Sequence, residues 1–392
     1  MMHGQNIICF AKDWTEDPTS NNHVMKGLAR NNKVLWLNSI GMRTPNLANK
    51  GDVQKILRKL KSFSQGPVEV EPNLWVYTPI VLPLPHSPWA TRVNREILRG
   101  TLKALRYKLG MNEFQLWTFL PNAVRHVGRL GESSVVYYCT DEFSQFSYLD
   151  GARLAEMERE LCAKADVVFT TARSLWEAKR GMNPETHLAL HGVDQGHFAK
   201  ALAPATEVPA ELRDVKTPIL GFFGLIHDWI DQDLLAFVAQ KRPDWTLAII
   251  GKAQVDTSRL QRLPNVRLLG RKAYEELPAY CKAFSLGLLP FAINELTRNV
   301  NPIKLREYLS AGLPVVSTDL PEVHTFSRWA AIAHTKEEFL QACEAALATD
   351  GAALREERSR AMTEETWDAK VAEIGRVVMD ALARRPAAGA AA

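Results

Sequence analysis

The chain has 392 residues, of which 46% are hydrophobic and 23% charged. That globular composition excludes a mainly disordered chain, a collagen and a coiled-coil rod, and the length sets an expectation of two ordinary domains. Lys and Arg number 48 against 44 Asp and Glu, a net of +4, too small an excess for a dedicated nucleic-acid binder. Cys9, Cys139, Cys162, Cys281 and Cys343 are scattered without a CxxC or a Cys/His pairing. They read as reduced thiols of a cytoplasmic protein, not as a disulfide frame or a zinc site. The opening MMHGQNIICFAKDW lacks a basic segment followed by a long apolar core, so no signal peptide is expected. No apolar run reaches the ~18 residues of a spanning helix.

In chain order, NIICFA (6–11) reads as a strand, 22–30 as a helix and KVLWLN (33–38) as a second strand. LWVYTPIVLPL (74–84), FQLWTF (114–119), SVVYYC (134–139) and DVVFTT (166–171) are further strands, with helices over 92–109 and 154–165. Strands alternating with helices predict βαβ units and a parallel sheet covered on both faces. At 199–216 the pattern breaks into AKALAPATEVPAELRDVK, a linker by composition. Alternation resumes with TPILGFFG (217–224), a helix over 231–239, TLAIIG (246–251), VRLLG (266–270), a helix over 274–284, SLGLLPF (285–291), a helix over 302–311 and PVVST (314–318). The expected fold is α/β, two Rossmann-like domains facing a cleft. The first takes 1–198 and the second 217–370. Residues 371–392 read as a helix end and a frayed Ala-rich tail. Ligands of such sheets sit beyond the carboxyl ends of the strands.

Charge is uneven, with 11 basic and 4 acidic residues within 50–108. Arg92, Arg95, Arg99, Lys103 and Arg106 recur every three or four residues and share one helical face. One reading is a solvated face; the other is a surface for anionic lipid or a lipid-linked phosphate, where each basic residue contributes about 1 kcal/mol.

The segment carrying most chemistry is PFAINELTRNVNPIKLREYLSAGLPVVSTDLPEV (290–323). Pro302 suits a first helical turn, Gly312 ends the helix and Pro314 blocks its continuation. A helix start preceded by a polar loop is a ready phosphate site, and Lys304 adds a cation there. Glu307, three residues on, faces the same way and can accept two ribose hydroxyl hydrogens. The plain alternative is an ordinary surface pair of Lys304 and Glu307.

This string closely resembles the donor-nucleotide motif of GT-B glycosyltransferases, particularly retaining bacterial enzymes of the GT4 type. His191-Gly192-Val193-Asp194 with Phe198 resembles the turn closing their first domain. Gly221-Phe222-Phe223-Gly224 resembles their Gly-rich loop, and Pro264-Asn265-Val266 with Leu269-Gly270 a following strand. Trp36, Gly41, Arg43, Trp117, Pro121 and Asp141 give a looser likeness to enzymes of exopolysaccharide and teichuronic acid gene clusters. The resemblance implies sugar transfer from a nucleotide diphosphate, UDP before GDP, to a glycan or polyprenyl-linked acceptor at the inner membrane face, with no cofactor and no metal. In the implied roles, Glu307 anchors ribose while Lys304, Arg298, His227 and the Gly224 backbone hold phosphate. Asn299, where the family carries a glutamate, and Asn301 lie near the sugar. The resemblance makes 1–198 the acceptor-binding domain, where Asn22-His23 faces the phosphates or acceptor and Asp141 the acceptor or donor sugar, and 217–370 the nucleotide-sugar-binding domain; His23, Asp141 and Asn299 are the candidates nearest the chemistry. Asp231-Gln232-Asp233 spells a metal-binding DxD but opens a helix, where first-turn acids are favoured by the dipole. A UDP-sugar 2-epimerase of the same fold and a non-catalytic subunit are the rival readings.

Overall fold

A computed structural model describes residues 2–40, 54, 58–59, 61–82, 84, 87–216 and 218–384. Gly41, Arg43, residues 55–57 and 60 of the basic 54–63 stretch and the Ala-rich tail beyond Arg384 lie outside the described residues. The chain forms two compact units: Met1–Ala189 with Val371–Ala392, and Leu190–Lys370.

The first unit is a doubly wound sheet. Its strands are β1 (Asn6–Phe10), β2 (Lys33–Leu37), β3 (Val68–Glu71), β4 (Leu74–Tyr77), β5 (Gln115–Thr118), β6 (Ser134–Cys139), β7 (Val167–Thr170) and β8 (Thr186–Leu188). They lie in the order β3-β4-β2-β1-β5-β6-β7-β8, all parallel except the antiparallel β3–β4 pair. All six residues of β6 are buried, as expected of a strand covered on both faces. The strand expected to run on to 84 ends at Tyr77, because Pro79 has no N–H for the ladder. The helix Pro88–Leu109 starts on a Ser87 cap and stops at Gly110, φ +64°, the left-handed position glycine takes at a helix end. The helix Trp367–Ala383 returns the chain to this unit. A methyl group on Gly27 would sit 2.8 Å from Val371 Cγ2, so the absent side chain is what lets the two helices touch.

The second unit holds β9 (Ile219–Phe223), β10 (Thr246–Ile250), β11 (Val266–Gly270), β12 (Leu286–Leu289), β13 (Val315–Thr318) and β14 (Ala330–Ala333). Their order is β11-β10-β9-β12-β13-β14, parallel throughout. Strand order reverses between β9 and β12, the switch point beside which ligands of such sheets bind.

Two boundaries differ from expectation. The His191-Gly192-Val193-Asp194 turn belongs to the second unit. Val193 exchanges hydrogen bonds with Glu365 and Trp367, and buried Phe198 stacks on Phe223 at 6.1 Å. Residues 199–216 are packed rather than linking. Ala201 and Leu212 are buried, Tyr280 Oη donates to Glu211 at 2.7 Å, and Lys282 Nζ donates to the Ala203 carbonyl at 2.5 Å. Two prolines broke the periodicity without removing these anchors.

Candidate functional site

The carboxyl end of β9 meets the helix Ile303–Ser310 in the second unit. Gly224 ends β9 and Gly251 ends β10, both at φ +145°, a conformation few side-chain-bearing residues adopt. They are pressed together: a Cβ on Gly251 would fall 1.8 Å from the Gly224 carbonyl oxygen. A Cβ on Gly224 would fall 2.2 Å from Lys304 Cε and 2.9 Å from its Nζ. The ammonium therefore lies directly over the Gly224 turn, where no side chain intervenes. Tyr308 fixes this arrangement, its Oη accepting the Phe223 N–H at 3.0 Å. That bond ties the helix to β9 one residue before Gly224.

Glu307 lies on the same short helix and is 7% exposed. Burial pushes its carboxyl up to about 7, against the pull of Lys304. Tyr274, just after β11, has a phenol raised first by burial and then by the Glu307 charge, which puts it within electrostatic reach of that carboxyl. A nearly dry carboxylate one turn from a cation suits a ligand that supplies hydroxyl donors and an anionic group together.

The raised carboxyl has a consequence for stability. Its folded value, about 7, lies above the ordinary value of 4.5. Stability linked to this group is therefore full below pH 4.5 and lost as pH rises towards 7, by up to about 3 kcal/mol. Glu307→Gln is expected to unfold at a higher denaturant midpoint than the parent at pH 8 and at nearly the same one at pH 4.5. A gain independent of pH would show that the carboxylate is not the strained group.

The other expected donor-site residues are placed less directly. Buried His227 bonds Asp228 Oδ1 through Nδ1 at 2.5 Å, and its ring stacks on Trp229 at 4.2 Å. This fixes an imidazole in the turn after β9. Arg298 is 57% exposed and pairs with Glu295 at 3.2 Å, the geometry of a surface pair on one helix. The Asn299 amide donates to the Glu295 carbonyl at 2.7 Å and closes the helix Glu295–Arg298. Asn301 Oδ1 accepts from the Arg306 guanidinium at 2.9 Å. Arg306 is 1% exposed and also meets Glu365 at 3.2 Å and the Phe326 ring at 4.7 Å. Asn299 and Asn301 thus shape the turn before the helix. Asp231 caps the helix Gln232–Lys241 by accepting the Leu234 N–H at 2.7 Å, as its position in the DxD string led one to expect.

In the first unit, His23 is half-buried on the helix Ser20–Ala29. Asn22 beside it accepts the Thr19 N–H at 3.1 Å in a capping box. Asp141 follows β6, with its carboxyl raised by burial and held back by Thr140. Its neighbour Glu142 belongs to a network that sequence reading missed. Lys179, 2% exposed, lies 3.2 Å from Glu142 and 3.1 Å from Glu158, and Tyr137 Oη donates to Glu158 at 2.5 Å. Along the helix Pro88–Leu109, Arg92, Arg99 and Lys103 are exposed. Arg95 pairs with Glu96 at 3.3 Å. Arg106 leaves the basic row: it donates to the carbonyls of Met111, at 3.1 Å, and Asn112, with its guanidinium over Phe114. No group of three or more metal-ligating side chains is present among the described residues.

Residues 217–349 match the family described as Glycosyl transferases group 1. The chain is 26% identical over 254 residues to TuaH of Bacillus subtilis (strain 168), assigned to teichuronic acid biosynthesis as a glycosyltransferase; the match covers 60% of this chain and 64% of that one. It therefore spans somewhat less than two thirds of that relative. Among solved structures, sucrose-phosphate synthase from Thermosynechococcus elongatus superposes with a TM-score of 0.69 at 15% identity, covering 97% of this chain and 100% of the other. HepE from Anabaena, solved with UDP and glucose, gives 0.65 at 12% identity over 98% of this chain and 100% of that one. At such identities the likeness is one of fold, and the fold is GT-B.

Proposed function

We propose that this GT-B chain, with its glycosyl transferases group 1 domain over residues 217–349, transfers a sugar from a nucleotide diphosphate to a hydroxyl of a glycan or lipid-linked acceptor in cell-surface polysaccharide biosynthesis. UDP is favoured over GDP, and transfer is assigned with retention. The observation that carries this reading is Lys304 lying over the side-chain-free Gly224 turn, with buried Glu307 three residues on. A diphosphate seated at this turn meets the Lys304 ammonium, and the ribose hydroxyls donate to Glu307. The TuaH likeness supports the polysaccharide role, and the UDP and glucose bound to HepE support the donor class.

The reaction breaks the bond between the anomeric carbon and the diphosphate oxygen, so negative charge grows on the leaving phosphate. Lys304 stabilises that charge without moving. The acceptor hydroxyl adds to the anomeric carbon and its proton passes to the departing phosphate oxygen, which requires no protein nucleophile and no metal. Asp141 and His23 are assigned to acceptor or donor-sugar contacts in the first unit. Arg92, Arg99 and Lys103 are assigned to an anionic acceptor surface.

Calorimetry with UDP and GDP tests the reading. Glu307→Ala should weaken binding by about tenfold to a hundredfold, the loss of hydrogen bonds to a charged acceptor. Unchanged affinity would remove the ribose assignment. Absence of nucleotide binding at millimolar concentration in the parent chain would favour a non-catalytic role. Epimer formation from a UDP-sugar without acceptor would favour the epimerase.

A further inference from the structure

The helix Pro88–Leu109 carries three chemically distinct arcs. Ala90, Asn94, Leu98, Leu102 and Leu105 are buried against the first unit. A second arc holds exposed apolar residues: Trp89 at 60%, Val93 and Ile97 at 40% each and Tyr107 at 89%. These stand at i, i+4, i+8 and i+18, one side of a helix with about 3.6 residues per turn. Gly100 and Ala104, both exposed, continue that arc, so it bears no charge from end to end. Along one border runs the third arc, with Arg92, Arg99 and Lys103 exposed. Glu96 also touches this border and is paired with Arg95.

We infer that this helix lies in the plane of an anionic bilayer surface, with Trp89, Val93, Ile97 and Tyr107 at the boundary of headgroups and acyl chains and Arg92, Arg99 and Lys103 over the lipid phosphates. The inference deepens the acceptor-surface assignment above by naming the apolar contact, which charge alone does not require. An arc with aromatic residues at both ends and aliphatic ones between, bordered by cations, is the pattern of a helix that lies on a membrane without crossing it. Among the described residues no helix is long and apolar enough to cross one. Charge decides the occupant. Two copies meeting through this arc would bring two rows of like charge together, whereas an anionic lipid surface complements the row.

The test uses the full chain without donor or acceptor, so its failure leaves the nucleotide-binding result untouched. Flotation is compared on vesicles of phosphatidylcholine alone and of phosphatidylcholine mixed with phosphatidylglycerol. Binding is expected only to the anionic vesicles, with quenching by brominated acyl chains that falls in Trp89→Phe. Neutralising Arg92, Arg99 and Lys103 one at a time should lower the partition coefficient about fivefold each. Val93→Glu with Ile97→Glu should abolish flotation with every basic residue still in place and an unchanged circular dichroism spectrum. Flotation that survives the Val93/Ile97 change would overturn insertion. So would failure to bind anionic vesicles, or a concentration-dependent dimer lost in Ile97→Glu.

Discussion

Gly251→Ala is expected to lose nucleotide binding and about 3 kcal/mol or more of stability in the second unit. Two effects add. Alanine at φ +145° is strained wherever it stands, by about 1–3 kcal/mol. Here the new methyl would also lie 1.8 Å from the Gly224 oxygen and 2.8 Å from its carbon. Those are backbone atoms, held by the Gly224 N–H on Ile250 O at 2.9 Å and the Ile226 N–H on Lys252 O at 3.0 Å. Overpacking against atoms that cannot rotate away costs about 1–3 kcal/mol more. Relief comes by moving the Gly224 turn, and the Lys304 tip rests on that turn. Gly270→Ala is the control, since Gly270 has φ +65° with nothing within 4 Å of an added methyl. It should show the left-handed penalty alone, about 1–2 kcal/mol. Denaturant titration and calorimetry with UDP separate the two variants. Gly251→Ala binding UDP as the parent does would contradict the proposed phosphate turn.

Lys179→Met is expected to destabilise the first unit by about 3–5 kcal/mol, because removing one partner of a buried ion pair leaves the other charge uncompensated. Burial opposes the Lys179 charge, but Glu158 and Glu142 beside it hold the ammonium above its ordinary value. With methionine in its place, Glu158 stays at 5% exposure with Tyr137 and Cys139 as its remaining partners. Adding Glu158→Gln should recover part of the loss, since the amide needs no counter-charge. Glu142 is next to Asp141 at the end of β6, so the loosened loop should raise acceptor KM while UDP affinity in the second unit stays as it was. Urea unfolding of the single and double variants checks the energetics. A single-variant loss below about 1 kcal/mol would mean that water reaches the pair, whose worth would then be that of a surface bridge.

The parts legible in the sequence were those governed by local chemistry. SVVYYC is β6 residue for residue, because a fully buried parallel strand needs an unbroken apolar run. The helix expected over 302–311 runs Ile303–Ser310 with Pro302 at its cap, and Asp231 behaves as the helix cap its position requires. The short edge strands β3, β8 and β14 escaped notice, as runs of three or four residues are too brief to show alternation. Lys179 escaped for a different reason. Its partners lie 37 and 21 residues away, and nothing local distinguishes a lysine that will be buried from one that will not. Nothing local marks Arg306 for burial either, yet it is 1% exposed and its guanidinium donates to Asn301.

All five cysteines are buried as free thiols, with Cys9, Cys139 and Cys162 in the first unit and Cys281 and Cys343 in the second. Their raised pKa values, set mainly by burial, leave almost no thiolate to react in the native state. Each lobe thus carries its own silent chemical clock. An alkylating reagent can mark a lobe only while that lobe breathes open, and peptide mapping of the adducts would time the two halves independently within one untagged molecule.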